Sequence, residues 1–182
     1  NQTQAQIDAV WRQYATTYTY DAAGRRTSQT DPNGNRTVFF YDNVGRLRYT
    51  VNAAGEVTEN QYDVLGHLTG TSQYATALDA LTLAGLQGGL LSSTANQSAG
   101  VAIAAAQQAA ASQNSTVRFA YDADGERILT QDAMGGTTAA SYDAFGDQIA
   151  TTQSIGAGRS VTNARSFDRR GMQTGSVSDV GG

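Results

Sequence analysis

The sequence predicts a mostly antiparallel β fold, a strip of repeated hairpins interrupted once by an Ala-rich helical insertion. Three observations carry this expectation. An aromatic-Asp-x-x-Gly unit returns along most of the chain, at Tyr20-Asp21 to Gly24, Tyr41-Asp42 to Gly45, Tyr62-Asp63 to Gly66, Tyr121-Asp122 to Gly125, Tyr142-Asp143 to Gly146 and Phe167-Asp168 to Gly171. Copies without the aromatic alternate with these, at Asp31 to Gly34, Asn52 to Gly55, Asp132 to Gly135 and, at the end, Asp179 to Gly182. Finally, the residues left between turns number six or seven, a strand length and not a helix length.

Asp-x-x-Gly is a reversal with a mechanism. An Asp or Asn opening a turn accepts a hydrogen bond from the backbone two residues on, and a Gly three residues later takes the positive φ that closes the turn into the next strand. Two strands and two turns make a period of about 21 residues. Within it apolar positions alternate, with Leu47, Tyr49 and Val51 against Arg46, Arg48 and Thr50, and Val117, Phe119 and Tyr121 against Thr116, Arg118 and Ala120. Such alternation gives a sheet one apolar and one polar face.

In chain order, residues 1–17 read as a connector or short helix, since Gln4, Ile7, Val10, Trp11 and Tyr14 fall three and four apart, with Trp11 placed to plug an apolar surface. Residues 18–72 read as repeat hairpins. Residues 73–115 then occupy the slot of one turn. Ala75 to Leu86 and Ser98 to Gln113 are expected as helices, the second favoured by Ala propensity and a cap at Asn96 or Ser98. They are expected to hang on the sheet's rim, so that their removal leaves the flanking hairpins folded. Residues 116–182 resume the hairpins. Ser154 to Gly158 is expected as a lengthened turn before a strand from Arg159 to Phe167, and the array ends on a turn with no strand after it.

The pattern resembles the YD-repeat, or RHS-repeat, family over roughly residues 18–66 and 117–182. The resemblance implies a segment of shell wall, in which hairpins wind into a hollow container that in bacterial toxins holds a cytotoxic C-terminal segment. It also implies a secreted or cell-surface setting, and as partners further repeats of the same parent chain or copies of itself, with an encapsulated polypeptide as cargo. About a dozen strands at ~4.8 Å spacing span on the order of 55 Å, enough for one curved wall and too little for a closed cage. The chain is accordingly expected to be a slice of a larger protein, with unpaired strands at both ends.

Composition narrows the chemistry. The net charge is -4 and every basic residue is Arg, scattered at strand starts, which argues against nucleic-acid binding. No run suits membrane insertion, and with no Cys there are neither disulfides nor thiolate sites. Nine of thirteen Asp open turns, a structural role that already accounts for them. Asp122 to Gly125 departs from a calcium loop because its Gly comes too early and no later Glu completes the ligands. His67 takes the place of Arg25 and Arg46 in sister repeats and reads as a solvated strand start. No catalytic, cofactor or metal constellation is expected, and the chain is read as no enzyme. Sequons at Asn1, Asn35, Asn96 and Asn114 are no more than such a composition produces by chance.

Two functions remain compatible with the repeats. One is a non-enzymatic wall segment that encapsulates or displays another part of a large protein. The other is an adhesin or carbohydrate-binding module whose Tyr20, Tyr41, Tyr62, Tyr121 and Tyr142 form an aromatic ladder stacking on sugar rings.

Overall fold

In the computed structural model, which describes residues 3–181, thirteen strands and three α-helices divide between two compact units. The first unit comprises Asn1–Asn60 and Ser72–Ser115, and the second Gln61–Thr71 and Thr116–Gly182. Within each, sheet neighbours follow chain order and pair antiparallel, apart from one short strand in the first unit. The sequon at Asn1 and the final turn residue Gly182 lie outside the described residues.

The first unit opens with helix α1 (Gln4–Tyr14), started by a capping box in which Thr3 and Gln6 satisfy each other's backbone N–H groups. Trp11 does not plug a surface, because its side chain is 66% exposed. A meander follows: β1 (Thr17–Tyr20), β2 (Arg26–Thr30), β3 (Arg36–Tyr41), β4 (Leu47–Val51) and β5 (Val57–Tyr62). Register puts Val38 opposite Val51, Phe40 opposite Tyr49 and Val51 opposite Val57, so these residues share one face.

The inserted segment covers that face. It contains α2 (Ala80–Gly85), a two-residue strand β7 (Gly89–Leu90) and α3 (Gln97–Ala109), followed by a 3-10 turn at Ala111–Gln113. Tyr74, Leu78, Leu86, Ala99, Ile103 and Ala106 pack with Val38, Phe40, Val51 and Val57 in one buried cluster. The expectation of helices hung on a rim is therefore corrected. Half-apolar strands need a second layer, and the insertion supplies it. The first helix is shorter than expected because Asp79 caps it by accepting from the Thr82 N–H, leaving 75–79 as a bend and loop whose Leu78 N–H donates to the Gly55 carbonyl. Asn96 makes no cap bond. Its amide donates to the Gly88 and Leu90 carbonyls and pins β7.

The second unit holds β6 (Leu68–Gln73, to residue 71), β8 (Ser115–Tyr121, from residue 116), β9 (Arg127–Gln131), β10 (Thr137–Tyr142), β11 (Gln148–Gly156), β12 (Arg159–Phe167) and β13 (Gln173–Gly181). Ser154 and Ile155 belong to β11, so the lengthened turn shrinks to a tight reversal through Ala157 and Gly158. Residues 179–181, expected in a turn, continue β13 and pair with β12. Gly70 is the one buried residue among those described in this unit, whose sheet has no helical second layer of its own.

Candidate functional site

The repeated element is the candidate site, and its turns share one geometry. In each of the nine Asp/Asn-x-x-Gly turns within 21–171, the Gly N–H donates to the first residue's carbonyl, and the first residue's N–H donates to the carbonyl four residues on. The Gly φ lies between +73° and +96°, a region that Gly enters without strain. The side chain closes the loop: Asp21 Oδ1 accepts from the Ala23 and Arg25 N–H groups, each at 3.0 Å. Asp31, Asp42, Asn52, Asp63, Asp122, Asp132, Asp143 and Asp168 accept the same two bonds.

These bonds hold several carboxyls below the usual carboxylate range. At Asp31 the Asn35 side-chain amide is the main cause, and at Asp168 the Met172 N–H. At Asp21, Asp42 and Asp63 desolvation opposes the charge and is outweighed by hydrogen bonds from Arg25, Arg46 and His67 respectively.

The residue after the turn Gly links one repeat to the next. Arg25 Nε donates to Asp21 Oδ2 at 2.8 Å, and its guanidinium lies 5.4 Å from the centroid of the Tyr41 ring. His67 repeats the arrangement, with Nδ1 2.9 Å from Asp63 Oδ2 and its ring stacked on Tyr121 at 4.8 Å. His67 is thus a half-buried bridging group, which corrects its reading as a solvated strand start. Later turns carry Glu126 and Asp147 at this place, each directed toward the next turn's Gly: Cβ atoms added at Gly146 and Gly171 would meet them at 3.0 and 3.8 Å. Glu126 is pushed above the ordinary glutamate range, by desolvation first and then by Asp122 and Asp124.

The repeat tyrosines close splayed strands. The ladders β2–β3, β4–β5 and β9–β10 each run for three pairs beside their Gly-containing turn and then stop. Beyond that point the Tyr41 hydroxyl donates to the Arg26 carbonyl at 2.8 Å and the Tyr142 hydroxyl to the Arg127 carbonyl at 3.1 Å. Tyr121 donates to Leu68 at 3.0 Å in the same way across the insertion. A register shift in the pairing ladder precedes Tyr20, Tyr41, Tyr121, Tyr142 and Phe167. Tyr20 is 61% exposed.

One polar cluster was not foreseen. Glu59, 1% exposed under the insertion, accepts from Arg48 at 2.5 Å, from the Tyr74 hydroxyl at 2.9 Å and from the Gln107 amide at 3.4 Å. Burial, then the bond to Glu59, drives the Tyr74 phenol far above its ordinary value. Every group in this cluster is engaged with protein, so it serves as a polar clasp between sheet and insertion. Among the described residues no three His, Cys, Asp or Glu side chains converge as a metal-binding group, and no helix is long and apolar enough to cross a membrane.

The model of the RHS repeat matches residues 12–37 and 20–57. No curated protein is matched. Among solved structures the chain is similar to the Photorhabdus luminescens Tc holotoxin pore bearing a mutation in TccC3, at 15% identity and a TM-score of 0.47, over 95% of this chain and 10% of that one. It is also similar to the TcdB2-TccC3-Cdc42 crystal structure and to TcdB2-TccC3 without its hypervariable C-terminal region, each at 13% identity and a TM-score of 0.30, over 96% of this chain and 12% of theirs. The chain therefore spans about a tenth of the length of the solved chains it matches. With a family model matching the first hairpins, residues 12–57 of the chain carry RHS, or YD, repeats.

Proposed function

We propose that the chain is a non-enzymatic structural segment of an RHS-repeat shell, one that encapsulates or displays another part of a large secreted or surface protein. The observation that carries this reading is the bond from a repeat Tyr hydroxyl to the first strand residue of the preceding hairpin, made by Tyr41, Tyr121 and Tyr142. It is a rule for adding hairpins, and it uses up groups that a ligand would otherwise meet. The partners under this reading are further repeats of a parent chain or copies of this one, with a polypeptide as cargo. The test is limited proteolysis of the full gene product. Polypeptide encoded beyond the repeats should resist protease, and Gly45→Val with Gly125→Val should expose it. Equal cleavage in both forms counts against a container.

The carbohydrate-binding alternative is favoured by Tyr18 and Tyr20, which are 48% and 61% exposed side by side on β1. A glycan array showing specific binding that is lost on replacing both by Ala would support the adhesin. Retention of the signal after Tyr41→Ala and Tyr62→Ala would place it on β1 and not on the ladder.

A further inference from the structure

The splayed strand pairs come in three forms, and comparing them identifies a binding slot. Between β2 and β3 the gap is filled by backbone. Gly89 and Leu90 pair in parallel with Phe40 and Tyr41, and the Leu91 N–H donates to the Tyr41 carbonyl at 3.0 Å. Gly88 fits so closely that a Cβ there would meet the Thr27 and Phe39 carbonyl oxygens at 2.3 and 3.0 Å. Between β4 and β5 the gap is sealed by side chains, with Arg48 donating to the Asn60 carbonyl at 3.0 Å and Asn60 to the Leu47 carbonyl at 3.2 Å.

Between β9 and β10 neither device is present among the described residues. The ladder stops at Ala139, and no further strand pairs with residues 140–142 on that side. Counted from the turn Asp and the repeat Tyr, Ile128 and Ala140 stand where the sealed gap has Arg48 and Asn60. Neither side chain can donate a hydrogen bond. Ser141 is exposed, whereas its counterpart Phe40 in the filled gap is 0% exposed. Tyr142 still spans the far end through Arg127, as Tyr41 does through Arg26.

We infer that the β9–β10 gap is a strand-insertion site that receives an extended, glycine-containing polypeptide segment running parallel to β10, as the chain's own Gly88 to Leu90 does beside β3. Recognition is by backbone hydrogen bonding to residues 140–142, and a glycine is required where the segment passes between Ile128 and Ala140.

The experiment uses the full chain and a fluorescent peptide of the chain's own sequence, Leu-Gln-Gly-Gly-Leu-Leu-Ser, residues 86–92. Saturable binding is expected by anisotropy, with slowed amide exchange at Ala140 to Tyr142. Ile128→Arg with Ala140→Asn, which copies the sealed gap, should weaken binding at least tenfold. Ala in place of the peptide's first Gly should do the same against the unaltered chain, which separates recognition from any misfolding of the double variant. The proposal is overturned by no binding at millimolar peptide, by equal binding of the Ala peptide, or by a folded double variant that binds as well as the original. Protection at Phe39 to Tyr41 in place of 140–142 also overturns it, since the peptide would then only have displaced the chain's own segment.

Discussion

The His67 ring lies stacked on Tyr121, centroids 4.8 Å apart and planes 25° from parallel, while its Nδ1 stays 2.9 Å from Asp63. One side chain thereby completes its own turn and seats the aromatic of the next repeat, although 54 positions separate it from Tyr121 in sequence. The stack also fills the space beside Gly125.

Two glycine substitutions separate backbone strain from this stacking. Gly66 and Gly125 have φ of +96° and +85°, but a Cβ at Gly66 meets nothing within 4 Å while one at Gly125 comes to 3.1 Å from His67 Nε2. Each replacement by Ala should cost about 1 kcal/mol of backbone strain. Gly125→Ala should cost about 1 kcal/mol more by displacing His67, and that excess should vanish when combined with His67→Ala. Thermal melts of the four variants check the cycle, and equal losses at both glycines would exclude the coupling.

Truncating the insertion's central contact should unsettle the first unit. Ile103 is 1% exposed within the cluster that includes Val38, Phe40, Val51 and Val57, so Ile103→Ala should destabilise by about 2–5 kcal/mol. Deleting residues 76–114 and bridging them with a turn should uncover this face altogether. Loss of the β signal in circular dichroism is the expected result, the reverse of what a rim attachment requires.

Removing one member of the polar clasp should leave the others buried and unpaired. Tyr74→Phe deletes the hydroxyl that donates to Glu59 at 2.9 Å and should cost about 1–3 kcal/mol. Glu59→Gln, which keeps the shape but not the charge beside Arg48, should also destabilise. Denaturant melts check both, and the paired variant should lose less than the sum of the two.

Acid should weaken the fold through the turn aspartates, and Glu126 should act in the opposite sense. Asp31, Asp42, Asp63 and Asp168 titrate lower folded than unfolded, so the unfolded chain takes up protons first. Their stabilisation is full above the ordinary carboxylate pKa near 4 and is lost as pH falls through their folded values. Glu126 is raised by desolvation and by its acidic neighbours, so it favours the fold while protonated and opposes it as pH rises through its folded value. Glu126→Gln should therefore raise the melting temperature at pH 7 and leave it unchanged near pH 3. A melt that is flat from pH 7 to pH 3 would contradict the assignment of the aspartates.

The turns and most strands were legible because their chemistry is local: Asp21, two free positions and Gly24 contain every atom needed to close the loop. The burial of α3 was less legible, since its two large apolar residues, Val101 and Ile103, fall on different faces of a helix otherwise of Ala, Gly, Ser and Gln, which leaves no clear stripe. Glu59 lies on the apolar face opposite Tyr49, but β5 has only Val57 to mark that face in sequence, and only the distant Tyr74 and Gln107 make Glu59 a buried partner. The pairing of Gly89 and Leu90 with β3 involves two residues across about fifty positions, too short a strand to register in any periodicity. His67 was the nearest miss. Its place in the repeat equated it with Arg25, whose own reach toward Tyr41 had gone unread.

The tie between β7 and β3 has a mechanical consequence. A meander of antiparallel strands joined by tight turns unzips when pulled from its ends, breaking hydrogen bonds one at a time at low force. In the first unit, Tyr41 is also held by Leu91, so β3 cannot peel away after β2 until Gly88 has been drawn out from between the Thr27 and Phe39 carbonyls. Traction on this unit should meet a discrete catch at that strand, whereas the run from β9 to β13 should pay out evenly, like a tape with one rivet near its start.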